Sequence, residues 1–256
     1  MEGATPELST LRSYWDASRA PRYSILFALP LLVLYEVLAA VLAARHPTGS
    51  FRNAADVVLQ WTFISLLGRH GPIVLAALLF GVGLWLVLRD MRAHGGGLRP
   101  RVFGAMFVES TVLALAFGTV VGLVTATLLG RVPIFLAAQA GAGIESLDWW
   151  TRVMLSLGAG LYEELLFRVV LVSALFVLAR RAFGWRPRTA GIAAVLVGAT
   201  LFSAFHYIGP YGDPLQLESF VFRLVAGVFF SGIYLLRGFG ITAWTHALYD
   251  LFLLAI

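Results

Sequence analysis

Long apolar runs, separated by short polar connections, dominate the chain. Seven predominantly apolar stretches lie at about 24–44, 72–88, 103–129, 150–179, 190–206, 219–236 and 241–256. Most approach the ~20 residues that a helix needs to cross about 30 Å of hydrocarbon. A weaker run at 57–67 is too short to cross by itself and predicts an interfacial or re-entrant segment. It becomes an eighth helix if it starts at Ala54 and extends to Arg69. The pattern predicts an all-α, polytopic transmembrane helical bundle of seven to eight spans, with backbone polar groups satisfied inside helices. Residues 1–22 are polar and carry Tyr14 and Trp15, which suits an interfacial helix or a tail.

Composition agrees with a membrane setting. The 256 residues are 59% hydrophobic and 13% charged, about half the charged fraction of a soluble domain. The first apolar run is longer than the ~7–15 residues of a signal-peptide core, so it reads as a retained span. All 19 basic residues are Arg. With high Ala, Gly and Leu, this composition points to a bacterial source and a multi-pass protein of the inner (cell) membrane. Net charge is +5, but the arginines sit in short connections, where they set topology and meet lipid headgroups; they do not predict nucleic-acid binding. Clusters at Arg12, Arg19 and Arg22, at Arg89 to Arg101, and at Arg180 to Arg188 fall on one side of a seven-span protein. That side is assigned to the cytoplasm, with the N-terminus inside and the C-terminus outside. With no Cys in the chain, disulfides and thiolate chemistry are excluded.

A Gly- and His-rich linker at 93–100 separates a front part from a back part. The expected organisation is an N-terminal membrane region over 1–100, a linking span and loop over 101–149, and a helical core over 150–256. No internal repeat is visible. The chemistry-bearing residues fall in the back part. Glu163-Glu164-x-x-x-Arg168 places two carboxylates and a guanidinium within an apolar helix, where ionisable groups are costly and mark functional sites. Glu164 and Arg168 are four apart and share a face. Glu163 points elsewhere and needs another partner. Phe202-x-x-x-His206 ends a span, with the ring beside the imidazole, and His246-x-x-x-Asp250 lies in the last helix. Asp250 is expected to fix which nitrogen of His246 faces the site. Glu36 and Glu109, also within spans, have no ionisable neighbour at helical spacing and read as bundle-facing polar groups.

Glu163, His206 and His246 in one dry cavity would suit water activation. A desolvated Glu acts as base or acid, and an imidazole donates to a developing oxyanion. The same three types bind zinc, although His-Glu-x-x-His is absent. There is also a difficulty of depth. His206 falls near the outer end of its span, and His246 about five residues from the inner end of its own. They meet only if the helices are displaced, tilted or broken.

The three motifs, in this order on successive helices, resemble the CPBP family of intramembrane proteases, which includes the prenyl-CaaX endoprotease and bacteriocin-processing or immunity-type relatives. The resemblance covers roughly 150–256. It implies a metal-free glutamic endopeptidase acting on a membrane-associated protein or peptide, with no cofactor; zinc is the minority alternative. Carried over by position, Glu163 and His206 activate water, His246 and Asp250 form the oxyanion side, and Glu164, Arg168 and Phe202 support them. The family often has Asn where this chain has Asp250. An ionised Asp has no proton to donate, which leaves His246 as the main donor. Two other readings stand beside this one: a non-catalytic membrane scaffold or immunity protein, and a proton-coupled transporter.

Overall fold

The computed structural model of the protein describes residues 6–45, 51–95, 97–130, 147–209 and 212–255. Among them there are only helices, turns and connections. Helix α1 covers Pro6–Arg19, α2 Pro21–Arg45, α3 Ala54–Leu67, α4 Gly71–His94 and α5 Pro100–Leu128. A continuous helix α6 follows over 149–181, then α7 Pro187–Phe205, α8 Leu217–Arg237 and α9 Phe239–Leu254.

Five helical stretches are long and apolar enough to cross a membrane. They are Pro21–Arg45, Ala54–His94 (α3 and α4 together), Pro100–Leu128, Pro187–Phe205 and Leu217–Arg237. This is fewer than the seven to eight crossings expected from hydropathy. The difference lies in the segments that carry the motifs. Helix α9 has 16 residues. Helix α6 has regular turns only at Trp149–Gly158 and Ser173–Arg181. Between them run two wide, π-helical stretches, Ala159–Glu163 and Leu165–Val172. Such turns recur at functional sites.

Helix α9 sits at the centre of the bundle. Ile241, Ala243 and Ala247 are fully buried, and α9 packs against α2, α5, α6 and α8. One core joins Leu31 and Tyr35 of α2 to Met154 and Leu157 of α6 and to Ala243 and Ala247 of α9. The front and back parts therefore share a core. Gly238, at φ 82°, makes the sharp α8–α9 turn. Arg22 at the start of α2 bonds the Gly95 carbonyl at 2.6 Å, and Arg237 at the end of α8 bonds Ser18 at 2.8 Å. The start of α2 and the ends of α4 and α8 thus share one face of the bundle.

Helix α3 does not run alongside the full length of its neighbours. Its N-cap, Asn53, lies beside Tyr35, whose hydroxyl accepts the Asn53 N–H at 3.0 Å. Tyr35 is ten residues before the end of α2, about 15 Å along the helix. The chain thus returns to mid-depth before α3 begins. It reverses at Gly68, where φ is 58°, and α4 runs back beside it. The 57–67 run is thus part of a helix that starts at Ala54, as the eighth-helix alternative required, and turns back into α4.

Both acids read as polar glue have partners. Glu109 pairs with Arg237 and accepts a 2.5 Å bond from Tyr14. Burial, followed by the Glu109 carboxylate, pushes the Tyr14 hydroxyl above its ordinary range. Glu36 pairs with Arg52 at 2.7 Å.

Close approach of α6 to α2 and α9 depends on glycine. A methyl group at Gly160 would overlap the Ala243 carbonyl and the Ala247 side chain, and one at Gly158 would overlap Tyr35 and Asn53. Gly160→Ala is expected to cost about 1–3 kcal/mol as an overpacked contact, seen as a lower thermal midpoint. Gly122→Ala, where the added carbon meets nothing within 4 Å, is expected to leave the midpoint unchanged.

Candidate active site

Glu163 leaves the first wide stretch of α6 and is 7% exposed. Its Oε1 accepts a 2.9 Å bond from Asn53 Nδ2. Its Oε2 lies 3.9 Å from His206 Nε2, beyond a direct hydrogen bond. At the end of α7, His206 Nδ1 is 2.9 Å from the Phe202 carbonyl. A carbonyl only accepts, so Nδ1 carries the proton. In the neutral ring, Nε2 then presents a lone pair towards Glu163. Phe202 packs edge-on against the imidazole at 4.9 Å, as their four-residue spacing predicts.

His206 is further fixed by the segment that follows it. The Asp213 N–H donates to the His206 carbonyl at 3.0 Å. Asp213 pairs with Arg223 of α8, whose guanidinium also lies over the Tyr207 ring at 5.1 Å. The Tyr207 hydroxyl reaches Ser219 at 2.6 Å.

A second group forms around Glu164. Glu164 and Arg168 are 0% and 1% exposed and pair at 3.0 Å. The Arg168 guanidinium lies 4.3 Å from the Phe202 ring centre and 5.3 Å from that of Phe230. Two aromatic faces and one carboxylate therefore compensate a buried cation. Glu164 Oε1 also accepts a 2.7 Å bond from His246 Nδ1, and the His246 ring stacks on Phe230 at 4.3 Å.

This corrects the reading of Asp250. Its carboxylate is 3.7 Å from His246 Nε2, so it does not fix the ring by a hydrogen bond; Glu164 does. The imidazole turns its Nδ1 towards α6 because α9 crosses α6 at Gly160, which brings Glu164 within reach.

The sequence-predicted residues thus gather in one place. Glu163 faces His206, and Glu164 joins Arg168 to His246. Phe202 touches both groups, being 6.3 Å from His246 as well. Asp250 lies at the edge. His206 and His246 are brought to one place by adjacent residues of α6, Glu163 reaching the first and Glu164 the second. Among the described residues, no three histidine or carboxylate groups are arranged to hold a metal ion.

Residues 145–252 match the family described as type II CAAX prenyl endopeptidase Rce1-like. The match lies wholly in the back part of the chain. The match agrees with the resemblance carried by the three motifs, and it spans Glu163, His206, His246 and Asp250. The matched family suggests peptide hydrolysis in a membrane. No curated protein and no solved structure matches the chain.

Asn53 lies outside the matched residues and was not legible as a site residue. It is 110 residues from Glu163, and the only signal at 53–56 is that of a helix start. Phe230 was hidden in the same way, as one apolar position among many in α8.

Proposed function

We propose that the protein is an intramembrane glutamic endopeptidase that cleaves a membrane-associated protein or peptide by activating water between Glu163 and His206. The observation that carries this reading is the facing pair itself. Glu163 Oε2 and His206 Nε2 are 3.9 Å apart, so a single water can touch both. The carboxylate takes a proton from that water while Nε2 accepts its second hydrogen. Oxygen then attacks the scissile carbonyl, and the proton passes to the leaving amine.

His246 stabilises the oxyanion. With Nδ1 already donating to Glu164, Nε2 donates only when the ring is doubly protonated. The neighbouring Glu164 and Asp250 carboxylates suit that imidazolium. Asp250 therefore acts beside His246 by charge and makes no direct contact with the oxyanion.

The reading uses no metal ion. It also takes α2, α4, α5, α6, α7, α8 and α9 as seven traversals of a bacterial inner membrane. The face shared by Arg22 and Arg237 is then cytoplasmic.

The test compares protein termini by mass spectrometry in membranes containing the wild-type protein or Glu163→Gln. A new terminus present only with wild type supports the reading. Its persistence with Glu163→Gln removes Glu163 as the base. Cleavage is expected to survive EDTA; loss on chelation and recovery with zinc would replace this mechanism with a metal-dependent one.

A further inference from the structure

We infer that Asn53 is a positioning residue for Glu163, supplied by the front part of the chain and locked by the Tyr35, Asp56, Arg52 and Glu36 side chains. The inference rests on the peptidase reading of Glu163.

The amide can sit only one way round. Asn53 Oδ1 accepts the Ala55 N–H at 2.9 Å, capping α3. Nδ2 is thereby turned to Glu163 Oε1. Flipping the amide would set its oxygen against the carboxylate and its NH2 against the Ala55 N–H, losing both bonds. Asn53 is 6% exposed, so water does not replace them cheaply.

The segment that bears the amide is also held. The Asn53 N–H donates to the Tyr35 hydroxyl, which donates to Asp56 at 2.8 Å. Asp56, 1% exposed, accepts from Gln60 at 2.7 Å and pairs with Arg52. Arg52 reaches Glu36, and Glu36 accepts a 2.8 Å bond from the Tyr162 hydroxyl. Tyr162 and Glu163 are neighbours on α6. Residues 52–56 therefore grip two successive side chains of the wide turn, one through Glu36 and one directly. Gly158 makes room for this, since a side chain there would strike both Tyr35 and Asn53.

The consequence is chemical. A carboxylate has two equivalent oxygens, and free rotation would offer either one to His206. Asn53 occupies Oε1 and leaves Oε2 for the water and His206. The family-matched residues supply the reacting groups, and a helix start from outside the match decides how the base is presented.

Two variants separate this role from capping. Asn53→Ser and Asn53→Asp both keep a cap oxygen for the Ala55 N–H, but neither keeps the amide donor. The assay uses a peptide carrying the cleavage site found by terminus mapping. Asn53→Ser is expected to lower kcat by roughly ten- to a hundred-fold, as for a misplaced reacting group, with KM and the thermal midpoint unchanged. Asn53→Asp is expected to lose more, and the acidic limb of its rate profile is expected to move to higher pH, because a second carboxylate favours proton retention by the pair. Infrared spectra give a readout independent of turnover. The Glu163 carboxylate band, assigned by its loss in Glu163→Gln, is expected to shift in Asn53→Ser. Wild-type kcat in Asn53→Ser, or an unshifted band, overturns the inference. Normal processing by Glu163→Gln would instead overturn the reading of Glu163 as the base, while the infrared band still decides whether Asn53 holds the carboxylate.

Discussion

Glu163→Gln is expected to lower peptide cleavage by about two to four orders of magnitude, the scale of a lost general base, and to leave the protein folded in the membrane. The substitution preserves volume. The new amide oxygen still accepts from Asn53 Nδ2, so the Asn53 donor keeps its partner. What disappears is the ability to take a proton from water beside His206. Terminus mapping reads the first effect and the thermal midpoint reads the second. A scaffold would show neither a terminus to lose nor a response to the variant. A proton-coupled carrier would lose substrate flux in sealed vesicles without any change in substrate mass.

The largest effect on stability is expected at Arg168. The side chain is 1% exposed and lies between Phe202 and Phe230 with Glu164 as its ionic partner. Arg168→Ala leaves Glu164 as a buried charge without its guanidinium. Breaking such a pair from one side costs about 3–5 kcal/mol. The loss also opens a void between two phenyl rings, and it frees the carboxylate that holds His246. Arg168→Lys is expected to recover little, because an ammonium lacks the flat face that two aromatic rings receive. The double variant Arg168→Met with Glu164→Gln removes both charges and is expected to be more stable than Arg168→Ala. Thermal unfolding in detergent checks the order of the three.

What the sequence revealed depended on distance along the chain. Glu164 with Arg168 and Phe202 with His206 lie one helical turn apart, and each pair meets as that spacing requires. The His246 contact to Glu164 joins residues 82 apart, and the Asn53 contact to Glu163 joins residues 110 apart. Both arise where glycines let α6 approach α9 and α2, and neither spacing nor hydropathy records which helices touch. Asp250 misled for the same reason. Its local spacing to His246 was visible, whereas the tertiary competitor Glu164 was not. Hydropathy drew 150–179 as one uninterrupted run and gave no sign of the wide turns within it. It did mark 57–67 as a short run, and α3 is a helix of 14 residues that begins beside the middle of α2.

The wide turns of α6 give it one residue that an ordinary helix does not have to lose. A wide turn amounts to an α-helix with an additional residue accommodated in one loop of the spiral. Deleting a single residue within 159–172 would let the coil tighten. The flanking turns would keep nearly their present faces, while residues inside the loop would move round by as much as one position, about 100°. Cut between Glu164 and Arg168, the spacing of that ion pair would fall from four residues to three. A one-residue deletion that straightens the coil would therefore spare the surrounding bundle and disturb chiefly the candidate active site, while leaving the hydropathy profile almost untouched.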